Sequence, residues 1–224
     1  MEKKLRWRVV GVEDKIERLI TSLRSNHEII PPENTRMIGN LNKWIEALVS
    51  IRNSIRNILT NLLPELERKF NSKLESPDML LAVLFQPSVK NLFLELDTYY
   101  SDRTDSPISE AHLFDLMELH EAGKTLALVG DSALDLAVLP YVWESEVGKV
   151  GQLSSKRAEY VSNEHLADVC DRWGLFDYRI HFDPKTATKG DINHIKGTLV
   201  EAIFGILFLY NGLDAVSRTI PLLR

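Results

Sequence analysis

Apolar residues recur every three or four positions over most of this chain, which is the period of helices. The strict alternation of a half-buried strand is scarce. Residues 12–24 (VEDKIERLITSLR) read as a short amphipathic helix, and Pro31, Pro32, Glu33 and Asn34 form a breaker. A long helix is predicted from near Thr35. Its apolar positions are Leu41, Trp44, Leu48, Ile51, Ile55, Ile58 and Leu62, at steps of 3, 4, 3, 4, 3 and 4. That is a heptad seam sustained for about three heptads, suited to one partner helix. Pro64 is placed to end or kink it. Such a seam serves inside one chain or between two. The first is expected here, since single amphipathic helices usually pack against their own chain.

Further along, Ser76-Pro77-Asp78 is a helix start, with Ser76 as N-cap and Pro77 at the first helical position. This helix is expected to run through MLLAVLF to Pro87, and another from Val89 to about Tyr100. Residues 101–107 (SDRTDSP) read as a polar loop. Ile108 to Glu121 is predicted helical, with a break at Gly123, and a further helix carries Leu126 to Trp143. Residues 144–152 read as a turn. A helix from Leu153 to Val161 precedes a new N-cap at Ser162 or Asn163, and Gly174 supplies a left-handed end. An irregular loop is expected over 177–190. The last long helix starts near Asp191, as its cap, and reaches Asn211-Gly212; a short one from Leu213 to Leu223 follows. The fold class expected is all-α, with residues 1–75 as a helical N-terminal extension.

Composition narrows the picture a little. The 224 residues suffice for one good core with an appendage, or two small domains. With 44% hydrophobic and 26% charged residues, neither a disordered nor a fibrous chain is indicated. The single cysteine, Cys170, excludes an intrachain disulfide and fits a reducing compartment. The basic N-terminus is not followed by the apolar stretch of a secretion signal, so a cytoplasmic location is expected. The longest apolar run, Ala202 to Tyr210, is too short to span a bilayer and reads as a buried helix. No membrane partner is therefore expected.

Charge is uneven. Residues 1–74 hold 14 Lys and Arg against 9 Asp and Glu, whereas the rest hold 13 against 23. Phosphate binding needs clustered cations, so the basic arm of Lys3, Lys4, Arg6 and Arg8 is the candidate contact for RNA. The competing reading makes these charges solvated faces of helices.

Four segments, in order, resemble the ribonuclease III family. Leu81 to Ser88 (LAVLFQPS) is similar to the family's first helix and its ending. Leu126 to Asp135 (LALVGDSALD) resembles its LEFLGDSVL helix. Leu153 to Tyr178 (LSSKRAEYVSNEHLADVCDRWGLFDY) resembles its Ser-Arg stretch, its SNE-x-LA turn and its closing GL-x-x-Y. Thr198 to Ala215 (TLVEAIFGILFLYNGLDA) resembles its D-x-x-EA-x-x-GA helix. The resemblance covers about 76–224. About forty residues separate Ser88 from Asp131, more than the family's short link, so a helical insertion is expected at about 92–120.

This resemblance implies an all-helical domain that pairs two-fold, as a homodimer or with an active paralogue. It also implies double-stranded RNA across the pair, and carboxylates on two facing helices that bind Mg²⁺ and activate water. Mg²⁺ requires oxygen ligands, and carboxylate charge governs its affinity. Asp131 matches the Asp of the first helix and Glu201 the Glu of the second. Ala127, however, stands where the first helix has Glu, and Thr198 where the second has Asp. Lys124 replaces a further Glu, and Val150 precedes Gly151 where an auxiliary Glu is usual. A weak or lost Mg²⁺ site is the expectation, with Asp131 and Glu201 as its remaining catalytic and metal residues. Asp135, Asp191 and His194 are candidates for a rebuilt site, although an N-cap Asp and a surface His explain two of them equally well. Asp131 and Glu201 can equally persist as hydrogen-bond partners at a helix crossing.

The other chemistry-bearing residues point to packing. The four tryptophans read as core or interface residues, and Cys170 as core. The histidines show no zinc spacing, and Gly123 and Gly130 follow no strand, so they form no phosphate loop. No separate double-stranded-RNA-binding domain is expected after the helical domain. Three functions remain open: an RNA-processing protein that binds structured RNA as a dimer with cleavage weak or lost, an active nuclease with displaced ligands, and a structural dimerisation module without RNA.

Overall fold

The computed structural model describes residues 10–143, 149–182 and 188–224, and all regular structure in them is helical. Lys3, Lys4, Arg6 and Arg8 lie outside the described residues. Helix α1 spans Val12–Ile29 and α2 spans Thr35–Asn57. α1 runs five residues past its expected end, because Asn26 continues the face that Val12, Ile16, Leu19 and Leu23 bury. All seven seam residues of α2 and its continuation are buried, and α2 packs against α1 and α5 (Lys90–Tyr100) of the same chain. At Pro64 the helix neither stops nor breaks. Ile58–Leu62 form a π turn in which Leu63 N–H reaches the Ile58 carbonyl, and α3 (Leu63–Phe70) carries the chain on. The wider turn spreads the backbone where proline offers no N–H.

Helix α4 (Pro77–Leu84) starts at Ser76 as expected but stops before Phe85. The next residues are extended and pair with the segment after α9: Ile180 N–H donates to the Leu84 carbonyl and Gln86 N–H to the Ile180 carbonyl, each at 2.9 Å. α6 (Glu110–Met117) ends at Glu118, and α7 (Leu119–Val142) follows at once. The expected break at Gly123 is thus wrong by five residues. Gly123 is helical and serves packing, since a Cβ there would lie 2.7 Å from the Ala82 carbonyl oxygen. The expected insertion therefore contributes α5, α6 and the start of α7. Trp44 on α2 donates its indole N–H to Glu95 on α5 at 2.6 Å, and Lys15 on α1 pairs with Asp115 on α6 at 3.6 Å. In this way α5 and α6 pack on the N-terminal helices α2 and α1.

Helices α8 (Val150–Val161) and α9 (Asn163–Arg172) follow, with Ser162 accepting from His165 N–H as N-cap and Gly174 left-handed at φ 65°. α10 spans Lys189–Thr219 with a non-helical residue at Gly212, φ 74°, where the sequence places a break. Its cap is Thr188 rather than Asp191. Asp191 is the third helical residue, and the two form a reciprocal capping box.

The centre of the molecule is the pair α7 and α10, with α4 and α9 against it. On length and composition alone, Leu119–Val142 and Lys189–Leu223 would suffice to cross a bilayer, which the nine-residue apolar run does not suggest. Buried core helices have the same composition. Leu126, Ala133, Leu134, Ala137 and Val138 of α7 and Leu199, Val200, Ile203, Phe204 and Leu207 of α10 are all buried in the bundle. Phe70, Trp173 and Phe204 pack ring against ring and fasten α3 to this centre.

Candidate functional site

Two glycines set the geometry. A Cβ on Gly130 would overlap the Glu201 carbonyl oxygen, and one on Gly205 would overlap the Leu126 carbonyl oxygen. At this crossing α7 and α10 touch backbone to backbone, a separation that only glycine allows. Asp131 follows Gly130, and Glu201 lies one turn before Gly205. The close approach therefore brings these two carboxylates, seventy positions apart in sequence, within electrostatic reach of each other.

Their surroundings differ. Glu201 is half-buried. Burial, and then the negative charge of Asp131, push its carboxyl up to about 7. Asp131 is at the solvent edge. It is raised by partial burial and by Asp135, while Arg157 opposes the shift. Asp135 itself is ion-paired to Arg157 at 3.0 Å.

The two replaced positions stand beside this pair. Ala127 is buried one turn before Asp131, and Thr198 is half-buried one turn before Glu201. Lys124, a turn further back, is exposed and held by Glu121 at 2.7 Å. The candidates for a rebuilt site are engaged elsewhere. Asp191 accepts from the Thr188 hydroxyl at 2.6 Å and its backbone N–H at 3.1 Å. Asp135 is with Arg157, and His194 is exposed on the first turns of α10. The donor set does not fit the carboxylate site that the resemblance implies: among the described residues no three His, Cys, Asp or Glu side chains converge as a metal ion would need.

In place of such a cluster the crossing borders a cavity of about 890 Å³. Ala127, Thr198 and Glu201 line it together with Phe85, Phe176, Leu199 and a basic group, namely His120, Lys124, Arg179, His181 and His194. Sequence reasoning missed the grouping of Phe85, His120, Phe176, Arg179 and His181. They come from three separate segments, and the joining contact is the short extended pairing of Phe85 with Ile180. No local spacing signals that pairing. Cys170 is buried and its thiol is pushed up to about 12 by burial, consistent with a core role.

Residues 124–212 match the Ribonuclease III domain. The matched stretch holds the Gly130–Gly205 crossing, both carboxylates and both replaced positions. A 99-residue stretch is 34% identical to Ribonuclease 3 of Bordetella pertussis, and equally to that of Bordetella parapertussis and of Bordetella bronchiseptica. It covers 42% of this chain and 38% of each relative, so the chain spans less than half the length of the curated relatives it matches. The stretch from α7 to α10 is therefore similar to a ribonuclease III domain. The helices before it fall outside the matched residues.

Proposed function

We propose that this chain is a ribonuclease III-type protein of RNA processing. It binds structured or double-stranded RNA as a dimer, holds Mg²⁺ poorly, and cleaves weakly or not at all. One observation carries the reading: at the crossing that defines the domain, Ala127 and Thr198 stand beside Asp131 and Glu201, leaving two carboxylates where the resemblance implies four. Affinity for a hard divalent cation falls with ligand charge, and without the cation no water is activated. The reading with displaced ligands is disfavoured, because Arg157 and Thr188 occupy Asp135 and Asp191.

Pairing has support on the outer face of α7. Leu128 and Leu136 are 69% and 55% exposed, two helical turns apart, and Trp143 is 61% exposed beyond them. A row of large apolar side chains in water is the mark of a surface that another protein covers. The partner in this reading is a second copy or an active paralogue. Lys3, Lys4, Arg6 and Arg8 remain the proposed electrostatic contact with RNA.

The test uses the purified chain and a labelled RNA duplex. The expected result is binding that weakens with salt, and no nicking in Mg²⁺ or Mn²⁺. Ala127→Glu combined with Thr198→Asp should raise nicking by about tenfold or more, roughly 1.4 kcal/mol of barrier. The cavity beside both positions gives the new carboxylates room. Efficient Mg²⁺-dependent cleavage by the unaltered chain would sink the proposal.

A further inference from the structure

The replacement of carboxylates does more than weaken a metal site, because it leaves a space of different chemistry. We propose that the cavity beside Glu201 is a nucleotide pocket, taking the aromatic base and the phosphate of one unpaired nucleotide, either free or carried by RNA. In its RNA-borne form this rests on the reading above; in its free form it does not.

Size comes first. About 890 Å³ is within the range of roughly 300–1,000 Å³ typical of small-molecule pockets. Part of its lining is apolar and includes Phe85, Pro87 and Leu199. Next to it the Arg179 guanidinium lies over the Phe176 ring, 3.5 Å from its centroid. A guanidinium layered on an aromatic ring is a flat, polarisable plate of the kind on which unpaired bases stack.

Charge comes second. Lys124, Arg179, His120, His181 and His194 line the cavity against two acids, Asp191 and Glu201. Asp191 is already committed to Thr188. Glu121, outside the lining, holds Lys124 at 2.7 Å and His120 Nε2 at 3.1 Å, so both basic groups are ordered before any ligand arrives. Lys124 keeps N–H donors beyond the one given to Glu121, and an ordered ammonium suits a phosphate. Carboxylates at positions 127 and 198 would have filled part of this space and made it acidic. Alanine and threonine leave it open. A bare phosphate makes no use of the apolar lining, and a fatty acid makes none of the Arg179–Phe176 plate.

The experiment titrates AMP and UMP into the full chain in EDTA, following the imidazole NMR signals of His120, His181 and His194. Saturable shifts are expected with both. Lys124→Glu, at an exposed position that should not disturb folding, should weaken binding by about tenfold or more. Thr198→Phe, which fills the cavity, should abolish it, and a melting curve confirms that this variant is folded. Absence of saturable shifts overturns the proposal. So does competition by inorganic phosphate as strong as by AMP, or displacement of AMP by decanoate at lower concentration than AMP itself requires.

A second arm compares a blunt RNA duplex with the same duplex carrying one overhanging nucleotide. A several-fold preference for the overhang, lost in Thr198→Phe, assigns the pocket to RNA. Equal affinity for the two duplexes, with AMP still binding, assigns it to free nucleotide. If neither duplex binds while AMP does, the pocket stands and the RNA-binding reading falls.

Discussion

Glu201 sits where burial and a second carboxylate act in the same direction, and both favour its neutral form. Its folded-state value of about 7 exceeds that of an unfolded glutamate, so between about pH 4.5 and 7 the folded protein binds more protons than the unfolded one. Stability contributed by this group is therefore full at pH 4 and is lost as pH rises through 7. Glu201→Gln removes that loss. In metal-free buffer it should stabilise the protein by about 2 kcal/mol at pH 8, after discounting for partial exposure, and by nothing at pH 4. Thermal melts at the two pH values check this, and an equal effect at both would contradict it. Asp131 and Glu201 were legible because each sits in a motif whose spacing survives. What surrounds them was not: the partners of Asp135 and Asp191 are side chains that only the fold and the capping box select.

The contact between α7 and α10 depends on two residues with no side chain. Gly130→Ala or Gly205→Ala should each cost about 3 kcal/mol or more, because a Cβ must push two backbones apart in a packed core. Gly39→Ala is the control. That position is exposed within α2 with open space around it, and the change should stabilise by roughly 0.5–1 kcal/mol. Urea midpoints separate the two outcomes. Helix periodicity foretold where α2, α9 and the Gly212 break lie, since each is governed by local apolar spacing or backbone freedom. It failed at Gly123, where a residue that usually ends a helix is retained inside one because α4 passes against it. Near Pro64 the chain keeps on as helix through a π turn, a device that apolar spacing does not signal.

Over the whole molecule, the exposed row on α7 sets the expectation for assembly. Leu128→Asp with Leu136→Asp should leave the melting temperature within a few degrees of the parent and convert a dimer to a monomer in sedimentation equilibrium. A parent that is itself monomeric at all concentrations would remove the dimer from the proposed function. The same acidic pair should weaken RNA binding if the duplex lies across both protomers.

By itself the amino-acid order determined the helical class, the heptad seam, the stretch that resembles ribonuclease III, and the alanine and threonine beside its two carboxylates. These are properties of spacing and residue type, which a linear reading preserves. Only the tertiary structure decided that the seam packs at home, that α5 and α6 lean on the N-terminal helices, and that five basic side chains meet in one cavity. Those facts depend on which distant segments touch. Such contacts are fixed by shape, burial and backbone approach across the fold, and no residue's neighbours in sequence carry that information.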